Sequence, residues 1–217
     1  MTKVGIQTDG TSPEYIKRMA LSAWRKAAGG RGGLAVADIG GGRGELARLL
    51  APQCKRVVLV DCAPPTIPVG NNIEVFRADL NDSWPILDAS IDLLFSLECI
   101  EHVENPRHFV RESARVIKPG GFGFISTPNQ HSILSKLAFL LLGHHRCFLG
   151  KNYPHHITAV LQADFRHLLS ENDLEFNSWY FSNEDNLPGL GWRIRIPGKA
   201  FSKCMGVLFQ KPKRMKH

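Results

Sequence analysis

The sequence predicts an α/β fold, a doubly wound and mostly parallel sheet with helices on both faces. Three observations carry that prediction. Five short apolar runs recur between residues 34 and 128, with helix-forming stretches between them. Several of those runs are uninterrupted, as interior parallel strands buried on both faces must be. A glycine-rich turn joins the first run to the helix after it. A chain of 217 residues accommodates one such domain with a proper core and would cramp two.

The elements follow in order. Thr11-Ser12-Pro13-Glu14 reads as a helix start, with Ser12 as cap and Pro13 at the first helical position. That helix runs on from Tyr15 and stops at Gly29-Gly30. Leu34–Gly40 is a buried strand and Gly44–Leu50 the helix that follows. Arg56–Asp61, Ile73–Ala78 and Ile91–Glu98 are the next strands, then a helix over Pro106–Ile117. Lys118-Pro-Gly-Gly121 turns the chain into a fifth strand, Phe122–Pro128. Beyond it the rhythm breaks: a short apolar helix over Ile133–Gly143, a stretch rich in His and aromatics to about Pro154, and a helix near Leu161–Leu169. Leu174–Phe181 and Met205–Gln210 are expected to pair as an antiparallel hairpin at the sheet edge, across an irregular link from Asn183 to Ser202.

Composition narrows the classes. Hydrophobic residues make up 43% and charged residues 22%, the balance of an ordinary globular chain, which excludes disordered, collagen-like and repeat architectures. The net charge of +7 is partly carried by the tail Lys211–His217, read as a solvated terminus able to touch phosphate-bearing partners. The five cysteines form no Cys-x-x-Cys pair, so neither a disulfide framework nor a zinc ribbon is indicated and a cytoplasmic setting is expected. No signal-peptide core is found at the N-terminus, and the longest apolar stretch falls far short of the ~20 residues that span a bilayer.

The strongest motif is Val36-Ala-Asp-Ile-Gly-Gly-Gly-Arg-Gly-Glu45, between a strand and a helix. Gly40, Gly42 and Gly44 permit a tight turn and close backbone approach to a ligand. Alone, such a turn also fits an ordinary βα connection. Asp61 ends the second strand, where a carboxylate can accept ribose hydroxyls, and Asp79 follows the third in Ala78-Asp79-Leu80. A glycine loop and two acids, each at a strand's C-terminal end, match the rule for ligand sites in open α/β sheets.

With Lys118-Pro-Gly-Gly121, this set resembles the class I (Rossmann-like) S-adenosylmethionine (SAM) dependent methyltransferases over residues 34 to 128. The resemblance implies a seven-stranded sheet whose last strand is antiparallel, and SAM as cofactor. It implies that Asp38, Gly40, Gly42 and Gly44 hold the methionine part, Asp61 the ribose, and Asp79 with Leu80 the adenine. Leu97, ending the fourth strand, joins them. The chain then reads as one domain over 1–217, with a cofactor core at 34–128, a lid and acceptor region at 129–160, and a C-terminal helix with edge strands at 161–217.

After Leu97 comes Glu98-Cys-Ile-Glu101-His102. In the family this place faces the transferred methyl group, and His102 is the candidate base, with Glu101 beside it as a second catalytic candidate. Glu98, Glu101 and His102 stand at i, i+3 and i+4, so one helical turn would bring them to one face. Two carboxylates and an imidazole suit a divalent cation such as Mg or Mn. The pattern resembles the ubiquinone-pathway O-methyltransferases and the small-RNA 2′-O-methyltransferases, in which it binds metal, and the resemblance to the latter adds His156 as a fourth ligand. The plainer alternative is a Glu-His pair that only shapes the pocket.

The expected acceptor is a small molecule methylated on oxygen: a phenol, a lipid-linked precursor or a sugar. RNA is the alternative that the +7 charge keeps open, although Thr158-Ala-Val-Leu161 departs from the aromatic segment of the RNA enzymes. A catalytically inactive SAM-binding partner subunit is the third reading. The helix over Ile133–Gly143 is expected to act as a lid over an apolar acceptor or to lean weakly on a membrane surface, with an ordinary core or dimer helix as the plainer alternative to membrane contact.

Overall fold

The computed structural model describes residues 11–65, 70–148, 155–186 and 193–213. Its strands are β1 (Leu34–Ile39), β2 (Cys54–Asp61), β3 (Ile73–Arg77), β4 (Ile91–Leu97), β5 (Ile117–Pro128), β6 (Glu175–Phe181), β7 (Asp185–Asn186), β8 (Arg193–Ile194) and β9 (Cys204–Gln210). The helices are α1 (Glu14–Ala28), α2 (Glu45–Leu50), α3 (Pro106–Val116), α4 (Ile133–Leu142) and α5 (Gln162–Ser170).

Seven strands form one sheet in the order β3-β2-β1-β4-β5-β9-β6, and β7 with β8 make a separate two-stranded ribbon. β1 to β5 pair in parallel, while β9 is antiparallel to both β5 and β6. The expected hairpin therefore exists, but β9 lies inside the sheet and β6 takes the edge. Glycine makes that insertion possible. Gly123 directly faces Phe209 across the β5–β9 pair, and a Cβ on it would run into that ring. Gly206 makes the same allowance for Phe124, whose ring meets Tyr180 edge-on at 5.6 Å.

The period of two along each strand sends alternate side chains to two cores. Val36, Val57, Leu59, Leu93 and Phe95 face α1 and α2, whereas Ala37, Val58, Val60 and Leu94 face the side of α3 and α5. Both faces are covered, so the central strands read as continuous apolar runs. α1 buries Ile16, Met19, Ala20, Ala23, Trp24 and Ala27, the i, i+3, i+4 stripe of an amphipathic helix, and ends at Gly29 in the left-handed conformation (φ 56°). Ser12 does not cap it. Pro13 occupies the cap position without a side-chain bond, and Ser12 turns to the cavity described below.

The tail is also less free than its charge suggested. Lys211 Nζ donates to the carbonyls of Ala114 and Ile117 at the C-terminal end of α3, where unpaired helix carbonyls attract a cation. The rest of that expectation, residues 214–217, lies outside the described residues. None of the five cysteines is joined in a disulfide, and among the described residues no helix is long and apolar enough to cross a membrane.

Candidate active site

The strand order reverses between β1 and β4, and the C-terminal ends of those two neighbours open a cleft at the switch point. A cavity of about 150 Å³ occupies it. Its walls include Asp38, Gly40 and Gly41 from β1 and its loop, Glu45 and Leu46 from α2, and Leu97 and Glu98 from β4. His102, His156, Thr11 and Ser12 complete it.

The loop after β1 is held by its own hydrogen bonds. Gly40 N donates to Val60 O at 2.8 Å, Gly44 N to Gly41 O at 2.8 Å, and Gly42 N to Asp61 Oδ2 at 2.8 Å. Gly40 must be glycine on two counts. Its φ is 70°, and a Cβ would stand 2.5 Å from Cys99 Sγ. Asp38 is buried beneath the loop and accepts from Ala47 N at 3.1 Å. Burial pushes its carboxyl up to about 7, against the Ala47 bond and with help from the Asp61 charge.

Asp61 Oδ1 accepts from Ala63 N, so one of its oxygens braces the loop after β1 and the other the turn after β2. Asp79 Oδ1 accepts from the backbone and side-chain N–H groups of Asn81, and Leu80 is buried beside Gly40. Asp38, Gly40 and Leu97 thus line the cavity, Gly42 and Gly44 shape its loop, Asp61 and Leu80 touch that loop, and Asp79 is engaged with Asn81 on the turn after β3.

The end of β4 is built differently. Glu98 N donates to Ser126 O at 3.1 Å and Ser126 Oγ at 3.2 Å, and Glu98 takes φ 49°, a conformation a non-glycine residue adopts only when its surroundings impose it. A single 3-10 turn, Ile100–His102, follows. The α-helical register expected for Glu98, Glu101 and His102 is therefore absent. Glu98 Oε1 instead accepts from the Cys204 thiol at 2.7 Å, with Tyr15 Oη 4.0 Å beyond that sulfur. Burial pushes the Glu98 carboxyl, the Cys204 thiol and the Tyr15 phenol all upward.

Glu101 and His102 fasten the segment that brings His156. Glu101 O accepts from Ile157 N at 2.9 Å and Thr158 N at 3.1 Å, and His102 Nδ1 donates to His155 O at 2.8 Å. The His102 and His156 rings consequently meet edge-on, 4.7 Å apart. Thr127 Oγ1 donates to Glu101 Oε2 at 3.0 Å, while the buried Glu101 Oε1 and His156 Nδ1 have no hydrogen-bond partner among the described residues. One ligand atom from each of Glu101, His102 and His156 lies within 4.8 Å of the others; Glu98 is not in that group. Burial pushes the Glu101 carboxyl well up, with the Glu98 charge adding to it. Burial likewise lowers His102, and burial with the His102 neighbour takes His156 down to about 4, so both imidazoles are neutral near pH 7.

Sequence reasoning did not find Thr11, Ser12, Thr127, Tyr15 or Cys204 for this site. Nothing in their local sequence marks them, since each is delivered by an element distant along the chain.

The sequence pattern of the methyltransferase-domain family matches residues 37–125. A ubiquinone biosynthesis O-methyltransferase of Dictyostelium discoideum is 30% identical over 183 residues, covering 76% of this chain and 54% of that one. An S-adenosylmethionine-dependent methyltransferase of Mycobacterium tuberculosis, so named with its activity qualified, is 34% identical over 99 residues, covering 44% and 36%. Over its matched segment this chain is similar to the Rossmann-like SAM-dependent methyltransferases.

The chain spans about half the length of the Dictyostelium relative and about a third of the mycobacterial one. Solved structures agree on its fold. The N-methyltransferase NodS of Bradyrhizobium japonicum, in complex with S-adenosyl-L-homocysteine, aligns over 93% of this chain and 89% of its own, with TM-score 0.58 and 15% identity. A chain from Bacillus halodurans C-125, assigned to the methyltransferases, aligns over 89% and 98%, with TM-score 0.66 and 17% identity.

Proposed function

We propose that this methyltransferase moves the methyl group of SAM to an oxygen of a small-molecule acceptor (a phenol, a lipid-linked precursor or a sugar), with Glu101, His102 and His156 holding a divalent cation beside it. The observation that carries this reading is the convergence of those three ligand atoms beside a cavity that the glycine loop also lines. The donors suit Mg or Mn: one carboxylate and two neutral imidazoles, with Glu101 Oε1 and His156 Nδ1 buried and otherwise unpaired among the described residues. Similarity to ubiquinone O-methyltransferases supports oxygen as the methylated atom.

SAM supplies an electrophilic methyl group, and the cation, when held, lowers the pKa of an acceptor hydroxyl. Transfer is an in-line displacement: the sulfonium–carbon bond breaks as the carbon–oxygen bond forms, the thioether leaves with the electron pair, and the acceptor's proton passes to a base. The chain's residues position the partners, which supplies much of the rate. Asp38, Gly40, Gly42, Gly44 and Leu97 bind at the loop, and Asp61, Asp79 and Leu80 at its flank. Thr127 orients Glu101, and the His155 carbonyl orients His102.

The His102 hydrogen bond favours a second reading. A carbonyl only accepts, so Nδ1 carries the proton and Nε2 a free lone pair. Without a cation, Nε2 is the base that takes the acceptor's proton. Titration calorimetry with S-adenosylhomocysteine, in chelator and again with added Mg or Mn, tests both readings. Saturable binding is expected, with a Mn isotherm that Glu101→Gln removes. Full turnover after exhaustive chelation would overturn the metal reading and leave His102 as base.

A further inference from the structure

α4 leaves its apolar side chains in water. Its only buried residue is Ser135, while Phe139, Leu140, Leu141 and Leu142 are 55%, 78%, 74% and 66% exposed, and Ile133 and Leu137 join them at the surface. The helix is firmly ended. Ser132 accepts from Ser135 N at its start, and Gly143, at φ 74°, closes it. Single exposed hydrophobic residues need no explanation, but six large ones on ten residues mark a contact surface.

The charge around the helix says what covers it. Neither Asp nor Glu occurs from residue 113 through 163, nor anywhere after Asp185. Lys136 lies on α4, and Lys199 lies on the turn Lys199–Phe201 that packs against it. Both are near enough to His131 to oppose its protonation, with Asp164 as the one opposing acid acting there and burial the larger cause. His144 and His145 follow the helix end. An exposed apolar helix edged with cations is the pattern of a segment lying in the interface of an anionic bilayer. A second copy of this chain would bring the same cations against Lys136 and Lys199 instead of opposite charge.

We infer that α4 docks this protein on an anionic lipid surface, with Phe139 and Leu140–Leu142 at the acyl boundary and Lys136 and Lys199 among the headgroups. The surface is continuous with the active-site wall. Phe139 stacks on His145 at 4.9 Å, His145 meets Phe148 at 6.3 Å, Phe148 meets His156 at 5.3 Å, and His156 meets His102.

Co-sedimentation of the full chain with vesicles of equal parts phosphatidylcholine and phosphatidylglycerol, and with phosphatidylcholine alone, is the test. Binding at least about tenfold tighter to the anionic vesicles is expected, weakening as salt rises. Leu140→Glu with Leu141→Glu should reduce binding more than about tenfold while leaving the thermal midpoint unchanged, because both side chains are exposed. Lys136→Glu with Lys199→Glu should erase the preference for phosphatidylglycerol. The inference is overturned if the wild-type chain ignores both vesicles, or if the leucine variant binds as the wild type does. It is equally overturned if gel filtration shows a dimer that the leucine variant dissolves without any vesicle binding, which would make α4 a contact between two copies.

Discussion

The ends of β1 and β4 lie side by side in the same cleft, yet they are finished in opposite ways. At β1 the polar groups answer one another: Gly40, Gly42 and Gly44 donate within the loop and to its neighbours, and Asp61 accepts from two backbone N–H groups. At β4 the backbone of Glu98 is forced left-handed, and Glu101 and His156 bury atoms with no hydrogen-bond partner among the described residues. A loop satisfied from within is already shaped before a ligand arrives. A set of unsatisfied buried donors and acceptors costs stability, and such costs persist at sites where a ligand recovers them.

Four measurements would break or sharpen this contrast. The largest effect is expected from Gly40→Ala, which places a methyl 2.5 Å from Cys99 Sγ at positive φ. Calorimetry should show S-adenosylhomocysteine affinity lost by about 100-fold or more, with Cys99→Gly in the same chain restoring part of it. Unchanged affinity would mean that the loop is not preformed.

Next comes His102→Ala, expected to abolish a Mn isotherm and cut turnover by about 100-fold, while S-adenosylhomocysteine affinity stays within about threefold. Equal losses in both would merge the two strand ends into one binding unit. Thr127→Val should weaken Mn binding about tenfold without touching the cofactor, as expected for a group that only aims Glu101.

The smallest effect is a pH dependence at β1. Asp38 is held near 7 in the folded chain, above the ordinary carboxylate value near 4, so the folded state binds a proton that the unfolded state has released. Its cost to stability is absent below about pH 4, grows as pH rises towards 7, and is complete above it. Asp38→Asn should therefore raise the thermal midpoint relative to wild type by a few °C more at pH 8 than at pH 5. An identical offset at both pH values would mean that Asp38 is ionised throughout.

The same contrast explains what the sequence made legible. Gly40, Asp61 and Asp79 mark strand ends because turn chemistry and strand burial are local, and so β1 to β5 could be placed from residue pattern alone. Glu98 could not. The i, i+3, i+4 reading assumed an α-helix, whereas the chain makes one 3-10 turn after a left-handed residue, imposed by Ser126 from the neighbouring strand. Its partner Cys204 is 106 residues away. His156 was found only through resemblance, and what places it is a pair of hydrogen bonds to the Glu101 carbonyl. Ser12 carried a cap signature that its position against the cavity overrode. Tertiary contacts of that range leave no periodic trace.

The insertion of β9 between β5 and β6 sets the timetable of synthesis. β6 has no partner in the sheet except β9, and β5 has nothing else to close that flank. Until residues 204–210 leave the ribosome, the nascent chain carries an open flank on β5 and an unpaired β6, both able to pair with other chains. The last of these nine strands to be made is thus the keystone, and its glycine at 206 is what lets it slide past Phe124 into the gap.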